Sequence, residues 1–445
     1  MKERVMFCVL AALAAALVWM PVLADGEQLF EAAVDSNVER SAGVYHCYEF
    51  EDERDTPPPE GYRPFYITHY GRHGSRYQRD EGRLRAYTVL RAAGKAGLLT
   101  TSGSDLLRRL RAIVAAHQGM MGCLSGRGAR EHTLLAKRMH KRFPDVFSGG
   151  GKVRCQASVK HRCLISMANF ACSLKGAAPQ LDFTFETGDR CMERLLHRGP
   201  DHERMREDVA RLSQKALVEM VCPDRLMKLL FRDLPETGKT VGSPHQFVSD
   251  LFALASAFQS LVDELAGGDT AIYDCFTRDE LMALARYKNC RYYARMGNSM
   301  ELGDRVVGAA KWLADDFIER ADEAVSQGGI CADLRFGHDS GILPLAGLIG
   351  LEGAGDRVPV AESWKRCPLW RFVPMAANIQ IVLYRRKGGG DDLVKVLFNE
   401  RETAVRGLAP YSGKYYRWKD FRTHLVKLSA DKPDKLPADG PCSGR

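Results

Sequence analysis

Five short runs rich in β-branched, aromatic and aliphatic residues limit what this chain can become. They fall at residues 64–70, 152–156, 330–336, 379–385 and 393–398, and helical stretches separate the first four. The first run ends at Gly71, and the second follows a Gly149-Gly150-Gly151 turn. Helical periodicity fills 105–121 and 129–143, and Ser158 reads as the N-cap of a helix running to about 174. Strands separated by helices predict an α/β fold, a mainly parallel sheet with helices on both faces.

Residues 176–300 have a different texture. Strand signals nearly vanish, and Val209, Leu212, Ala216 and Met220 recur at helical spacing among charges. The stretch is predicted as an inserted all-helical domain, which leaves 25–175 and 301–445 as the α/β domain. A further helix shows Val306, Ala310, Leu313, Phe317, Ala321 and Ala324 on one face and stops at Gly328-Gly329.

A length of 445 residues gives room for two cores, and 45% hydrophobic with 27% charged residues excludes disordered and fibrous chains. The formal net charge of +8 suggests an anionic partner without naming its class. Residues 1–24 read as a signal peptide. Lys2 and Arg4 precede an apolar stretch from Val5 to Val18, and Val22-Leu23-Ala24 offers a cleavage site. The expectation is an exported protein, periplasmic or extracellular, with no stable membrane span. Twelve of the 13 cysteines follow the leader with no CxxC among them. An even number in an exported chain favours disulfides, with free buried thiols as the alternative.

Ligands of such sheets bind beyond the carboxyl ends of the strands. Directly after the first run comes Gly71-Arg72-His73-Gly74-Ser75-Arg76-Tyr77, a histidine flanked by two guanidinium forks suited to phosphate. After the second, Ser158-Val159-Lys160-His161-Arg162 opens a helix with cations where the helix dipole disfavours them, which a bound anion would explain. After the third, Gly337 leads into His338-Asp339, a pair that can supply a phosphate donor and a general acid, with an Asp that only caps the following helix as the alternative. Two other features carry nothing. Gly238-Lys239-Thr240 lacks the upstream glycine and strand of a P-loop. Cys191, His197 and His202 have no usual zinc spacing.

The motif Arg72-His73-Gly74-Ser75-Arg76 with the distant His338-Asp339 resembles the histidine phosphatase superfamily in its acid phosphatase and phytase branch, most of all the multiple inositol polyphosphate phosphatases. Smaller matching pieces are Leu124-Ser125 with Gly128, Glu131-His132, Arg142-Phe143-Pro144, Ala376-Ala377-Asn378-Ile379 and Asn399-Glu400. Two departures are Gln78, where the family usually has proline, and Asp339, where the animal enzymes have Ala-Glu after the histidine. The resemblance implies His73 as nucleophile, Asp339 as general acid, and Arg72, Arg76, Arg162 and His338 as phosphate ligands. Lys160, His161 and the basic segments 127–130 and 137–142 are candidates for holding further phosphates. No cofactor or metal is expected, and the partner is a small phosphorylated molecule such as phytate rather than nucleic acid. A broad-specificity acid phosphatase and a non-catalytic polyanion binder are the alternatives. Oligomeric state is left open.

Overall fold

The structure is a computed structural model and describes residues 26–195, 202–265 and 271–431. The signal peptide read at 1–24, the tail beyond 431 and His197 lie outside the described residues.

All five expected strands form. The sheet comprises β1 (Tyr62–Arg72), β2 (Gly151–Ala157), β3 (Leu181–Thr187), β4 (Ile330–Gly337), β5 (Asn378–Arg386), β6 (Leu393–Phe398) and the short β7 (Arg401–Glu402) and β8 (Tyr416–Arg417). Its order is β3-β2-β4-β1-β5-β6-β7, with β8 also on β6. The first four strands are parallel where they pair. β5 and β6 join antiparallel. The six-residue link between β5 and β6 explains their direction, because a parallel return needs a crossover of a dozen or more residues. Gly388, Gly389 and Gly390 in that link all take positive φ.

One strand corrects the all-helical reading of 176–300. Leu181–Thr187 pairs with β2 at the sheet edge, so helices take over only after Gly188. Its alternation of Leu181, Phe183 and Phe185 with Asp182, Thr184 and Glu186 is the period of a strand.

The helices used below are α1 (Gly26–Ser36), α2 (Gly126–Arg142), α3 (His161–Ala177), α4 (His202–Met220), α5 (Pro244–Ala257), α6 (Arg278–Met296), α7 (Lys311–Gln327), α8 (Asp339–Ile349) and α9 (Trp418–Ala430). One face of the sheet presents Ile67, Val153, Leu334 and Phe336 to Leu135 and Met139 of α2 and Phe170 and Leu174 of α3. The other presents Tyr66, Tyr70, Ile379 and Ile381 to a core that contains Phe317 of α7 and Leu343 of α8, and that continues into Phe252 of α5 and Tyr293 of α6. Apolar burial on both faces is what near-continuous hydrophobic strands require. The helices Arg85–Lys95 and Thr101–His117 join this second body: Thr100 donates to Leu229 O at 2.6 Å, and Leu99 bridges Phe231.

The expected disulfides do not form among the described residues. The eleven described cysteines form no bridge with one another, and Cys47, Cys155, Cys163, Cys191, Cys290, Cys331 and Cys367 are buried as small apolar groups. Gly238-Lys239-Thr240 lies in the last turn of the helix Leu234–Val241, with Lys239 exposed and paired to Glu236, so it forms no phosphate cradle.

Candidate active site

Strands β1 and β4 run side by side in parallel, with Arg72 opposite Gly337. Their loops therefore leave the sheet at one edge, and β2, on the other side of β4, delivers the start of α3 to the same edge. A cavity of about 370 Å³ opens there, lined by Arg72, His73, Arg76, Lys160, Arg162, His338 and Asp339. These are the residues singled out from the sequence, with one exception. His161 is exposed at the first position of α3 and is not in the lining.

The loop after β1 is pinned by the smaller sequence islands. A Cβ on Gly74 would stand 2.5 Å from Gly128 O, and one on Gly128 would stand 2.1 Å from Ser75 O, so both crossing backbones must be glycine there. Glu131 accepts from Ser75 N and Ser75 Oγ, both at 2.7 Å. Ser125 N donates to Ser75 O at 3.0 Å, His73 N to Gly337 O at 3.0 Å and Ala376 N to His73 O at 3.0 Å. Ala376 makes that last bond at φ 56, a left-handed conformation costly for alanine. Gly337 and Gly341 give Tyr70 room, since a Cβ on either would stand 2.1 Å from its hydroxyl.

His73 has its tautomer set by the backbone. Its Nδ1 lies 2.9 Å from Gly74 O, and a carbonyl only accepts, so Nδ1 carries the proton and Nε2 keeps its lone pair. Burial, then the charges of Arg162, Arg72 and Arg76, hold the ring far below the usual histidine range, so it stays neutral in acid. His338 lies beside it with ring centroids 5.7 Å apart. Arg162 Nη2 donates to His338 Nδ1 at 3.4 Å, and His338 Nε2 donates to Ser158 Oγ at 2.9 Å. Burial and then Arg162 bring His338 down to about 3, against the opposing pull of Asp339.

Arg72 is fully buried, and its Nη1 donates to Val44 O at 2.6 Å and Val373 O at 2.8 Å. Arg76 Nη1 donates to Tyr77 O at 2.8 Å. The Nε atoms of Arg72, Arg76 and Arg162 are buried with no partner among the described residues. Asp339 is the carboxylate these cations face: it lies 3.7 Å from Arg72 Nη2, and its Oδ1 accepts from Ser340 N at 3.0 Å. Burial would raise its pKa, but Arg72, Arg295 and His338 outweigh burial and bring it down to about 2. Three partnerless guanidinium donors beside one carboxylate make a site built for an anion.

Ser158 departs from its expected role. The N-cap of α3 is Lys160, with no side-chain cap, and Ser158 Oγ instead pairs with His338 and accepts from Lys160 N at 3.3 Å. The basic segments expected at the rim are also used elsewhere. Arg127 donates to Gln259 O, Arg130 pairs with Asp263, Arg138 with Glu400 and Arg142 with Asp55.

The rim is lined by residues the sequence reading passed over: Arg79 and Arg83 after the motif, and Tyr292 and Arg295 on α6, with Tyr45 deeper in the wall. Arg79, Arg83 and Arg295 also line an adjoining cavity of about 560 Å³ with Arg206 and Arg291. The available signal was arginine at a spacing of four, 291 with 295, which places that pair on one face of α6; Arg79 and Arg83 lie at a bend and turn where no such spacing rule applies.

No family model matches the chain. The protein named Multiple inositol polyphosphate phosphatase 1 from Gallus gallus is 23% identical over 369 residues, spanning 77% of this chain and 78% of its own length. Among solved structures, the multiple inositol polyphosphate phosphatase of Bifidobacterium longum in complex with inositol hexasulfate matches with a TM-score of 0.72 at 20% identity, covering 87% of this chain and 97% of that one. The phytase from D. castellii matches with a TM-score of 0.66 at 15% identity, covering 89% and 87%. The resemblance read from the motifs thus holds in sequence over most of the chain and in fold.

Proposed function

We propose that this protein is a metal-independent phosphomonoesterase that hydrolyses inositol polyphosphates such as phytate through a phosphohistidine intermediate. The observation that carries the reading is His73: a neutral imidazole with its Nδ1 proton tied to Gly74 O and its Nε2 lone pair free, set among Arg72, Arg76, Arg162 and His338. Nε2 attacks phosphorus, and the arginines with His338 hold the non-bridging oxygens and neutralise charge as the ester bond breaks. The guanidinium cations take the charge-neutralising part that metal ions can play in phosphoryl transfer.

Asp339 donates the proton that the departing alkoxide takes up, and its carboxylate then activates the water that frees His73. Its pKa of about 2 belongs to the cavity without an anion. A bound phosphate offsets the field of Arg72 and Arg295, which raises the carboxyl, and in mild acid a phosphate monoester still carries a proton it can pass on. The proton arrives with the substrate.

Arg79, Arg83, Arg295 and the adjoining arginine-lined cavity favour a substrate with several phosphates over a small monoester. Met205 of α4 and Tyr292 and Arg295 of α6 reach the same cavity, so we assign the helices after Gly188 the role of a cap over its mouth. Export to the periplasm or beyond rests on the composition of residues 1–24. Among the described residues no helix is long and apolar enough to cross a membrane.

Phosphate release from phytate in excess chelator tests the proposal, together with alkaline quenching during turnover to trap phosphate on His73, since the N–P bond of a phosphohistidine survives base and hydrolyses in acid. Activity lost to chelator and restored by a divalent ion overturns it, as does the absence of a trapped phosphoenzyme that His73→Ala abolishes.

A further inference from the structure

Two phenols in the cavity wall have no role in this chemistry. Tyr45 ends the 3-10 segment Val38–Tyr45 ahead of β1, and Tyr292 comes from α6. Both line the active-site cavity and are buried, 6% and 8% exposed. Their rings meet edge to face at 6.0 Å, and Tyr292 OH donates to Tyr45 OH at 3.1 Å. That bond occupies a lone pair of Tyr45, so its own proton is left for another acceptor, and no described residue takes it.

Beside the ring of Tyr292, Tyr45 has several cations around it. From the motif loop, the Arg76 guanidinium lies 5.4 Å from its ring centroid. From α6, Lys288 Nζ lies 4.6 Å from the same ring while donating to Ser256 Oγ of α5 at 2.7 Å. Arg83 of the turn Glu81–Leu84 and Arg72 of β1 act on it at longer range. The carboxylates of this region are drawn to other arginines, Asp339 to Arg72 and Asp250 to Arg85.

We propose that Tyr45 is a substrate-binding residue whose proton decides what the cavity accepts: the phenol donates to an oxygen of the bound phosphate ester, and the phenolate repels it. The inference rests on the phosphatase reading of the site for its ligand, but not for its titration. Burial opposes ionisation of Tyr45, yet Arg76, Arg83, the bond from Tyr292 and Lys288 outweigh burial and bring the phenol down to about 7. Tyr292 moves the opposite way, raised by burial and by Tyr45, so one phenol of the pair ionises near neutrality. Lys288 is pushed down to about 7 by burial and loses its charge in the same range.

The consequence has a definite sign. Below neutrality Tyr45 adds a neutral donor to the arginines, and a phosphate oxygen is its acceptor. Above neutrality a fixed negative charge beside Arg76 weakens that fork and repels a polyanion. Affinity therefore falls as pH rises through about 7, independently of Asp339.

An ultraviolet difference titration of the full chain without substrate reads the phenolate directly. One tyrosine is expected to ionise near neutrality, to vanish in Tyr45→Phe, and to move to higher pH in Tyr292→Phe, which lacks the donated bond. In steady-state assays on phytate, Tyr45→Phe should raise KM about tenfold at about pH 5, the worth of one hydrogen bond to a charged group, with kcat nearly unchanged. The KM ratio should fall as pH rises and pass below one above neutrality, because the phenolate repels the substrate and phenylalanine does not, while substrate and Asp339 titrate alike in both proteins. A KM ratio that does not vary with pH, an unchanged KM in acid, or no near-neutral phenolate traceable to Tyr45 each overturns the proposal. Should phytate turnover be absent altogether, the phosphatase reading fails. Equilibrium binding of inositol hexasulfate to the same two proteins across the same pH range then decides the role of Tyr45.

Discussion

Strand β4 passes through two arginine clusters that treat charge in opposite ways. At its middle, Asp333 accepts from Arg154 Nε at 2.7 Å, Arg154 Nη2 at 2.8 Å, Arg320 Nη1 at 3.1 Å and Tyr66 OH at 2.7 Å. Two residues on, Arg335 Nε donates to Asp316 at 2.6 Å, and Arg154 Nη1 reaches Glu323 at 2.6 Å. At its end, Arg72, Arg76 and Arg295 act on the carboxylate of Asp339, and the Nε atoms of Arg72, Arg76 and Arg162 have no described partner. A buried cation matched by carboxylates belongs to the fold. One left unmatched, in a cavity, is capacity to bind an anion that the chain does not supply.

The largest expected effect breaks the unmatched cluster without touching the matched one. His73→Ala should lower kcat on phytate by ~10⁴-fold or more, the scale of a lost nucleophile, with an unchanged thermal midpoint. Retention of more than about one percent of activity would argue against the covalent route. Next, Asp339→Asn should lose about 10²–10⁴-fold on phytate, whose alkoxide needs a proton, and little on p-nitrophenyl phosphate, whose anion leaves unaided. Equal losses on the two substrates would remove Asp339 as the acid.

The third effect is the mirror image. Arg335→Met removes a buried partner of Asp316, though Arg320 stays beside it, and should cost about 3–5 kcal/mol of stability in denaturant titrations, with activity per folded molecule kept. Arg162→Met should do the reverse, losing activity while stability holds or rises, because it removes one of several like charges. If both substitutions affected the same property, the contrast between the clusters would be wrong.

How much of this was legible in the sequence follows the same divide. Strands buried on both faces announce themselves by composition alone, as 330–336 and 393–398 do, so the sheet could be read. The edge strand β3 could not be separated from the helical texture that follows it, since its pattern is short and Phe185 is exposed. His73 and its flanking arginines stood out because glycine and arginine cluster in one short segment. Arg79, Arg83 and Arg295 did not, because an arginine on a turn or a helix surface looks the same whether it faces solvent or a cavity. Only the packing of α6 against the segment that carries Tyr45 decides which it is. Ser158 misled for a related reason: a serine ahead of a helix satisfies the capping pattern, but β2 and β4 bring His338 within 2.9 Å of it.

The smallest effect sharpens the comparison by supplying the missing anion. Inositol hexasulfate has the charge of a polyanionic ester, stays ionised throughout the working range, and is present in the similar B. longum structure. At a hundredfold excess over its dissociation constant it should stabilise the chain by about 2.7 kcal/mol, and Arg76→Met and Arg162→Met should each reduce that gain. The pH dependence then tests whether the field in the cavity is the one inferred. His338 is held at about 3, below the ordinary histidine value of about 6.5, so without ligand the unfolded chain binds the proton first. Its contribution to stability is present above about 6.5 and is lost as pH falls towards about 3. Asp339, held at about 2, contributes stability above about 3.9 that is lost as pH falls through 2. A bound polyanion offsets the charges of Arg162 and Arg72, lifts His338 and lets it take up a proton. Binding coupled to proton uptake strengthens as pH falls, so the gain in melting temperature from inositol hexasulfate should be larger at about pH 5 than at about pH 7.5. A gain that shrinks on acidification would mean that the arginines are already neutralised in the free protein, and the unmatched cluster would then be matched after all.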